Sequence, residues 1–258
     1  VKTLHVDRTA LLHRPGDGPT VVLLHGIGSN AESWLPLIAA LPQDADILAW
    51  WAPGYGASVP VAPPQPIAEH YAIRLAGMLD ALDRPRVVLV GHSLGCLVAA
   101  RFAAGRPERV AGLALLSPAL GYRVPYGAPL PPAQQARLDE LAALGPEAFA
   151  AKRAGRLVHD QAALPAVRAA MAQVRPAGYA QAVRLLAGGD LLAEAPRLPP
   201  TLIACGEQDV VTPPDNARAL HAALPGGTLH LVPGAGHALP QEKPQAVAAL
   251  LAGMLAHV

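Results

Sequence analysis

Val87-Val88-Leu89-Val90-Gly91-His92-Ser93-Leu94-Gly95-Cys96-Leu97-Val98 sets a serine between two glycines, with an apolar run before it and an apolar helical pattern after it. The leading run is short and valine-rich, which predicts a strand buried on both faces. A chain that leaves such a strand and enters a helix at once must turn sharply at the serine. Residues two positions away on either side then have to be small, because the strand end and the first helical turn nearly collide; Gly91 and Gly95 meet that need. The turn lifts the Ser93 hydroxyl above the sheet and aims the helix N-terminus at any negative charge formed beside it. A serine that merely N-caps a helix would use the same local residues, so the rest of the chain has to decide between a cap and a nucleophile.

Outward from this point the same texture repeats. Short apolar runs at 20–24, 47–51, 87–90, 113–116, 201–204 and 228–232 predict strands of a parallel sheet, and helical spacing at 31–40, 67–82, 94–104, 215–223 and 244–257 falls between and after them. This alternation predicts an α/β fold with helices on both faces of the sheet. Period-two alternation at 2–6 and 9–12, with the turn cluster Pro15-Gly16-Asp17-Gly18 beyond, adds an opening antiparallel hairpin. The sheet is therefore expected to be mostly parallel, with about eight strands. One interval breaks the rhythm: 119–199 carries helical segments and no convincing strand, bounded by the Pro/Gly-rich stretch 121–132 and by Pro196, Pro199 and Pro200. The expected organisation is a core formed by 1–118 and 200–258 with a helical cap inserted at 119–199, since insertions in such sheets tend to cover the ligand-binding edge. The plainer alternative is that these helices only extend the outer layer.

A serine hydroxyl is a poor nucleophile without a base. Val232-Pro233-Gly234-Ala235-Gly236-His237 follows the last strand and precedes the last helix, which puts His237 on a glycine-flexible loop at the sheet edge where Ser93 also lies. Of the 10 histidines, it is the one so placed. A carboxylate is then needed to fix the imidazole tautomer. Asp209, just past the strand at 201–204, gives the chain order serine, acid, histidine. Glu207 and Asp215 are its rivals, the first closer to the strand end and the second at a helix start, where it reads as a cap. Backbone N–H groups of Leu94 and Ile27 are the candidate oxyanion donors, the latter on the loop His25-Gly26-Ile27-Gly28, with Gly28 as the alternative. His25 and His92 read as hydrogen-bonding residues near the site, because no third ligand stands at a spacing that suits a metal.

These pieces together, His25-Gly26, Pro53-Gly54-Tyr55-Gly56-Ala57-Ser58, Gly91-His92-Ser93-Leu94-Gly95, Gly206-Glu207-Gln208-Asp209 and Gly236-His237, resemble the α/β-hydrolase fold superfamily over nearly the whole chain, in its serine-nucleophile branch. Within it, the stretch from Arg175-Pro176-Ala177-Gly178-Tyr179 to Asp190-Leu191, with Asp209 to Pro214, is most similar to the 3-oxoadipate enol-lactonase and ring-cleavage-product hydrolase group. The resemblance implies a serine hydrolase of a small ester or lactone working through an acyl-enzyme without cofactor or metal. Carbon–carbon bond hydrolysis of aromatic ring-cleavage products is the alternative. Two departures count against it: Trp51 stands where many relatives carry aspartate, and Ala238 follows the histidine where carbon–carbon hydrolases carry tryptophan. A serine at the nucleophile position also departs from the aspartate of dehalogenases and epoxide hydrolases. A non-catalytic small-ligand receptor on the same fold is the reading of another class.

Composition narrows the partners. With 258 residues and 52% hydrophobic residues the chain can bury a sizeable core, and a net charge of +1 offers no basic field for nucleic acid. The apolar run at 247–258 is short for a membrane span. Cys96 and Cys205 both lie in apolar stretches and read as buried thiols. The expectation is a cytoplasmic monomer or homodimer that binds a small molecule, with no nucleic acid or membrane partner. Trp34, Trp50 and Trp51 are expected in the core. Arg175, Tyr179 and Arg184 are expected on the cap, where arginine stems lie over apolar surface.

Overall fold

The computed structural model describes residues 1–256. Its eight strands are β1 (Lys2–Val6), β2 (Thr9–Arg14), β3 (Thr20–Leu24), β4 (Asp46–Trp50), β5 (Val87–His92), β6 (Val110–Leu116), β7 (Thr201–Gly206) and β8 (Gly227–Val232). The helices are α1 (Leu35–Ala40), α2 (Ala68–Ala81), α3 (Leu94–Gly105), α4 (Pro132–Arg153), α5 (Leu164–Ala172), α6 (Pro176–Gly188), α7 (Leu191–Glu194), α8 (Pro214–Ala223), α9 (Leu239–Glu242) and α10 (Pro244–Leu255). One sheet runs β1-β2-β4-β3-β5-β6-β7-β8, antiparallel at β1–β2 and β2–β4 and parallel from β4 through β8. Helices cover both faces, with α1 packed on α10 and α2 on α3. This is the α/β architecture the alternating pattern predicts, and the strands at its centre are apolar along their middles, with Thr20, Asp46, His92 and Thr201 at their ends, because water reaches neither face.

The differences from the sequence reading lie at element edges. The predicted helix 31–40 opens as a 3₁₀ turn at Ala31–Trp34, capped by the Asn30 side chain accepting from the Ser33 N–H, before α1 begins with a proline in its first turn. The strand expected at 113–116 starts at Val110, where β6 pairs with β5 through an irregular register at Val87/Val88. The hairpin turn is made by Asp7 and Arg8 at φ 42° and 63°, a left-handed pair that carries no glycine to announce it. His257, the last residue of the predicted helix 244–257, lies outside the described residues.

Chain order creates a switch point in the sheet. From β3 the chain moves outward to β4, then crosses back to β5 on the other side of β3, so the loops leaving β3 and β5 diverge at the same carboxyl edge and leave a crevice between them. Between β6 and β7 lie α4, α5, α6 and α7, and among the described residues this interval contains no strand. Gly145, at φ 72° and followed by Pro146, breaks α4 into two pieces. The interval docks on the core through glycine: a Cβ on Gly54 would lie 2.6 Å from the Gly178 Cα, and one on Gly178 would lie 2.1 Å from the Gly54 carbonyl oxygen. Arg175 adds a hydrogen bond to the Gly56 carbonyl at 2.5 Å. Trp34, Trp50 and Trp51 are buried in the core, and Cys96 and Cys205 are buried free thiols. Among the described residues no helix is long and apolar enough to cross a membrane.

Candidate active site

Ser93 sits at the junction of β5 and α3 with φ 52° and ψ −114°, a conformation a non-glycine residue adopts only when its surroundings impose it. The imposing contacts are close. A Cβ on Gly95 would lie 2.0 Å from the Leu24 carbonyl oxygen, and one on Gly91 would lie 2.7 Å from that of Gly95, so α3 lies directly against the ends of β3 and β5. Gly26 brings the loop after β3 onto the serine: a methyl there would lie 2.9 Å from the Ser93 Cβ.

Ser93 Oγ and His237 Nε2 are 3.0 Å apart, and His237 Nδ1 is 2.9 Å from Asp209 Oδ2. All three residues are buried. Asp209 Oδ1 accepts the N–H groups of Val211 at 2.8 Å and Thr212 at 2.9 Å, while the Thr212 hydroxyl lies 2.9 Å from Oδ2 and 3.1 Å from His237 Nδ1. Burial alone would raise the Asp209 pKa; the hydrogen bond and charge of His237, with the two backbone N–H groups, outweigh it and hold the carboxyl at about 2. An ionised Asp209 accepts from Nδ1–H, which leaves the Nε2 lone pair facing the serine hydroxyl. The arrangement can therefore pass a proton from Ser93 to His237.

The rival acids stand apart. Glu207 is exposed, and Asp215 is exposed and paired with Arg218 at 2.9 Å. Ile27 lines the cavity over Ser93 and Leu94 opens α3; among the described residues neither backbone N–H has a hydrogen-bond partner, whereas the Gly28 N–H is directed at the Tyr55 hydroxyl at 3.4 Å. His25 takes the Ala52 N–H on Nε2 at 3.0 Å, so its Nδ1–H donates to the Gly26 carbonyl at 2.8 Å. His92 donates from Nε2 to the His237 carbonyl at 2.7 Å. Burial lowers the pKa of His25 to about 4 and, with the nearby charge of His237, that of His92 to about 3, so both rings are neutral struts of the two loops.

A cavity of about 290 Å³ opens above Ser93 and His237. Its remaining wall is largely from the interval between β6 and β7, and it includes Arg123, Arg137 and Asp190. Arg175 and Arg184, the arginines expected from sequence, do not line it; they bind the carbonyls of Gly56 and Ala128. Tyr179 is wholly buried, edge-on to Phe149 and under the Arg137 guanidinium at 5.2 Å. Among the described residues neither Arg123 nor Arg137 is in a salt bridge, and the Arg137 Nε is buried without a partner. Asp190 is occupied as a helix cap, accepting from the Ala193 N–H at 3.2 Å. Thr212, Arg123 and Arg137 escape sequence reasoning because no local spacing marks them.

The family described as the alpha/beta hydrolase family matches residues 21–250 of this chain. A Pseudomonas syringae pv. syringae protein assigned as carbamate hydrolase RutD is 30% identical over 234 residues, covering 86% of this chain and 88% of its own. A thermophilic esterase from Thermogutta terrifontis superposes with a TM-score of 0.86 at 25% identity, each chain covered in full. The enol-lactonase from Burkholderia xenovorans shares the fold with a TM-score of 0.86 at 24% identity, over 99% of this chain and all of its own.

Proposed function

Because this chain belongs to the alpha/beta hydrolase family, we propose that it is a serine hydrolase that cleaves a small carboxylic ester or lactone through an acyl-enzyme on Ser93. The observation that carries this reading is the unbroken chain Ser93 Oγ to His237 Nε2 at 3.0 Å and His237 Nδ1 to Asp209 at 2.9 Å, opening into a cavity. His237 takes the Ser93 proton as Oγ bonds to the acyl carbon. The carbonyl electrons move onto oxygen, where the Ile27 and Leu94 N–H groups receive the negative charge. Collapse expels the alcohol or enol oxygen, which takes the proton from His237. Water then attacks the acyl-enzyme by the same route and releases the acid and free Ser93. Asp209 stays ionised throughout and holds the imidazole.

The interval between β6 and β7 serves as the cap, residues 119–199 closing the site from above. Its unpaired Arg123 and Arg137 favour a substrate that carries a carboxylate away from the scissile bond, because each guanidinium lacks an anion of its own. Carbamate cleavage, the activity for which the RutD relative is named, attacks a carbonyl carbon in the same way and needs no other machinery. Ala238, buried in a cluster with Ala154, Val158 and Val167, stands where that group carries tryptophan, and this departure weighs against the carbon–carbon hydrolase alternative.

Ser93→Ala tests the reading. Turnover of a short nitrophenyl ester is expected to fall by several orders of magnitude, leaving roughly 10³ to 10⁴ over the uncatalysed rate from binding and the oxyanion donors. A fluorophosphonate is expected to label the parent at Ser93 and to leave the variant unmodified. Undiminished turnover in the variant refutes the assignment, and a protein that binds esters without ever being acylated is a receptor.

A further inference from the structure

Glu242 is buried at the end of α9, five residues beyond His237, and takes no part in the proton path. Three backbone N–H groups converge on its carboxyl. Oε1 accepts from Gly236 at 3.0 Å, and Oε2 accepts from His159 and Asp160, both at 2.7 Å. Gly236 precedes the histidine; His159 and Asp160 belong to the inserted interval. The same two segments meet twice more. The Ala238 N–H donates to the Leu157 carbonyl at 2.8 Å, and a Cβ on Gly236 would lie 2.7 Å from the His159 nitrogen. With the His237 carbonyl held by His92 at 2.7 Å, backbone groups at 236, 237 and 238 are each tied to a different part of the molecule.

We propose that Glu242 is a positioning residue for the hydrolysis: it clamps the His237 loop to residues 157–160, so that the segment over the cavity also holds the general base against Ser93 and Asp209. This rests on the serine-hydrolase reading given above. The clamp acts through distance. A base 3.0 Å from its nucleophile tolerates little displacement, and an error on the order of 1 Å can cost about 10²-fold in rate. Only a carboxylate satisfies both sides, because each of its oxygens accepts from one of the two segments. A carboxamide of the same shape has one acceptor, and its NH₂ must face either Gly236 or the 159–160 pair.

Glu242→Gln in the full chain therefore separates clamping from mere stability. At a temperature where near-ultraviolet circular dichroism shows both proteins folded, kcat for a nitrophenyl ester is expected to fall roughly tenfold or more while KM stays within about twofold. A variant that loses thermal stability but keeps the parent's kcat overturns the proposal, as does an equal rise in KM without a fall in kcat. Ser93→Ala, measured beside it, keeps the two questions apart: activity surviving that substitution defeats the serine mechanism, whereas an inactive Ser93→Ala with a fully active Glu242→Gln defeats the clamp alone. If Glu242→Gln does not fold, amide exchange in the parent decides. The Gly236, His159 and Asp160 N–H groups are expected to open together at similar rates, and fast exchange at 159 and 160 beside a slow 236 refutes the coupling.

Discussion

Beside the Thr212 hydroxyl and the Cys205 thiol, three N–H donors meet the Asp209 carboxylate, from His237 and from the backbone of Val211 and Thr212. They hold its pKa at about 2, below the ordinary aspartate value near 3.9. A depressed acid stabilises the folded state above the unfolded pKa and loses that contribution as pH falls through the folded one. The window here runs from about pH 4 down to about pH 2, and the amount is roughly 2 kcal/mol. The stability gap between parent and Asp209→Asn is therefore expected to narrow over that window in acid-unfolding measurements, and a constant gap rules the linkage out. At neutral pH the same variant is expected to keep its fold and to lose roughly 10⁴-fold in kcat, because the asparagine can present the wrong hydrogen-bonding partner to Nδ1. Asp209 was legible from its place after a strand and before the histidine. Thr212 was not, because a threonine three residues past an aspartate has no distinguishing local pattern.

At the scale of elements, the sharp turn from β5 through Ser93 into α3 is a steric device. Gly95 lets α3 approach the end of β3 to a distance at which a methyl would sit 2.0 Å from the Leu24 carbonyl oxygen, while Gly105 at the far end of the same helix has nothing within 4 Å. Gly95→Ala is expected to cost about 3 kcal/mol or more, through displaced backbone rather than lost contacts. Gly105→Ala is expected to be neutral or to stabilise by about 0.5–1 kcal/mol through the helix preference of alanine. Urea unfolding of the pair reads both, and similar values for the two would contradict the packing argument. The glycines around Ser93 could be recognised from sequence because their spacing follows from a local strand-to-helix turn. The pairing of Gly54 with Gly178 could not, since the two glycines come from loops and helices 124 positions apart that meet only when the insertion docks.

For the molecule as a whole, the net charge of +1 gives no sign of how charge is placed in the cavity, whose wall carries Asp190 together with Arg123 and Arg137, the two arginines standing outside any salt bridge among the described residues. Arg137→Met keeps an unbranched apolar stem and removes the guanidinium that lies over the Tyr179 ring. For esters with a free carboxylate on the acyl or leaving group, KM is expected to rise roughly tenfold or more, and for neutral esters of the same length to change by less than about twofold. Equal effects on both series would show that Arg137 packs the insertion and does not choose the substrate. From sequence, Arg175 and Arg184 are expected on the cap with their stems over apolar surface, and no pattern says which arginine meets the cavity. Both bind backbone carbonyls, of Gly56 and Ala128, and neither lines the cavity, because which face of a helix between β6 and β7 looks toward Ser93 depends on how that helix docks.

The sequence by itself determined the α/β sheet, the sharp turn at Ser93 and the order of serine, acid and histidine. Each is written in short-range terms: side-chain period, glycine spacing and position relative to a strand end. Only the tertiary structure decided that Thr212 braces the acid, that Arg123 and Arg137 face the cavity, and that Glu242 joins the histidine loop to residues 157–160. Those relations arise where segments far apart in the chain come within hydrogen-bonding reach, and a contact made by the fold leaves no periodic mark on either of the stretches that make it.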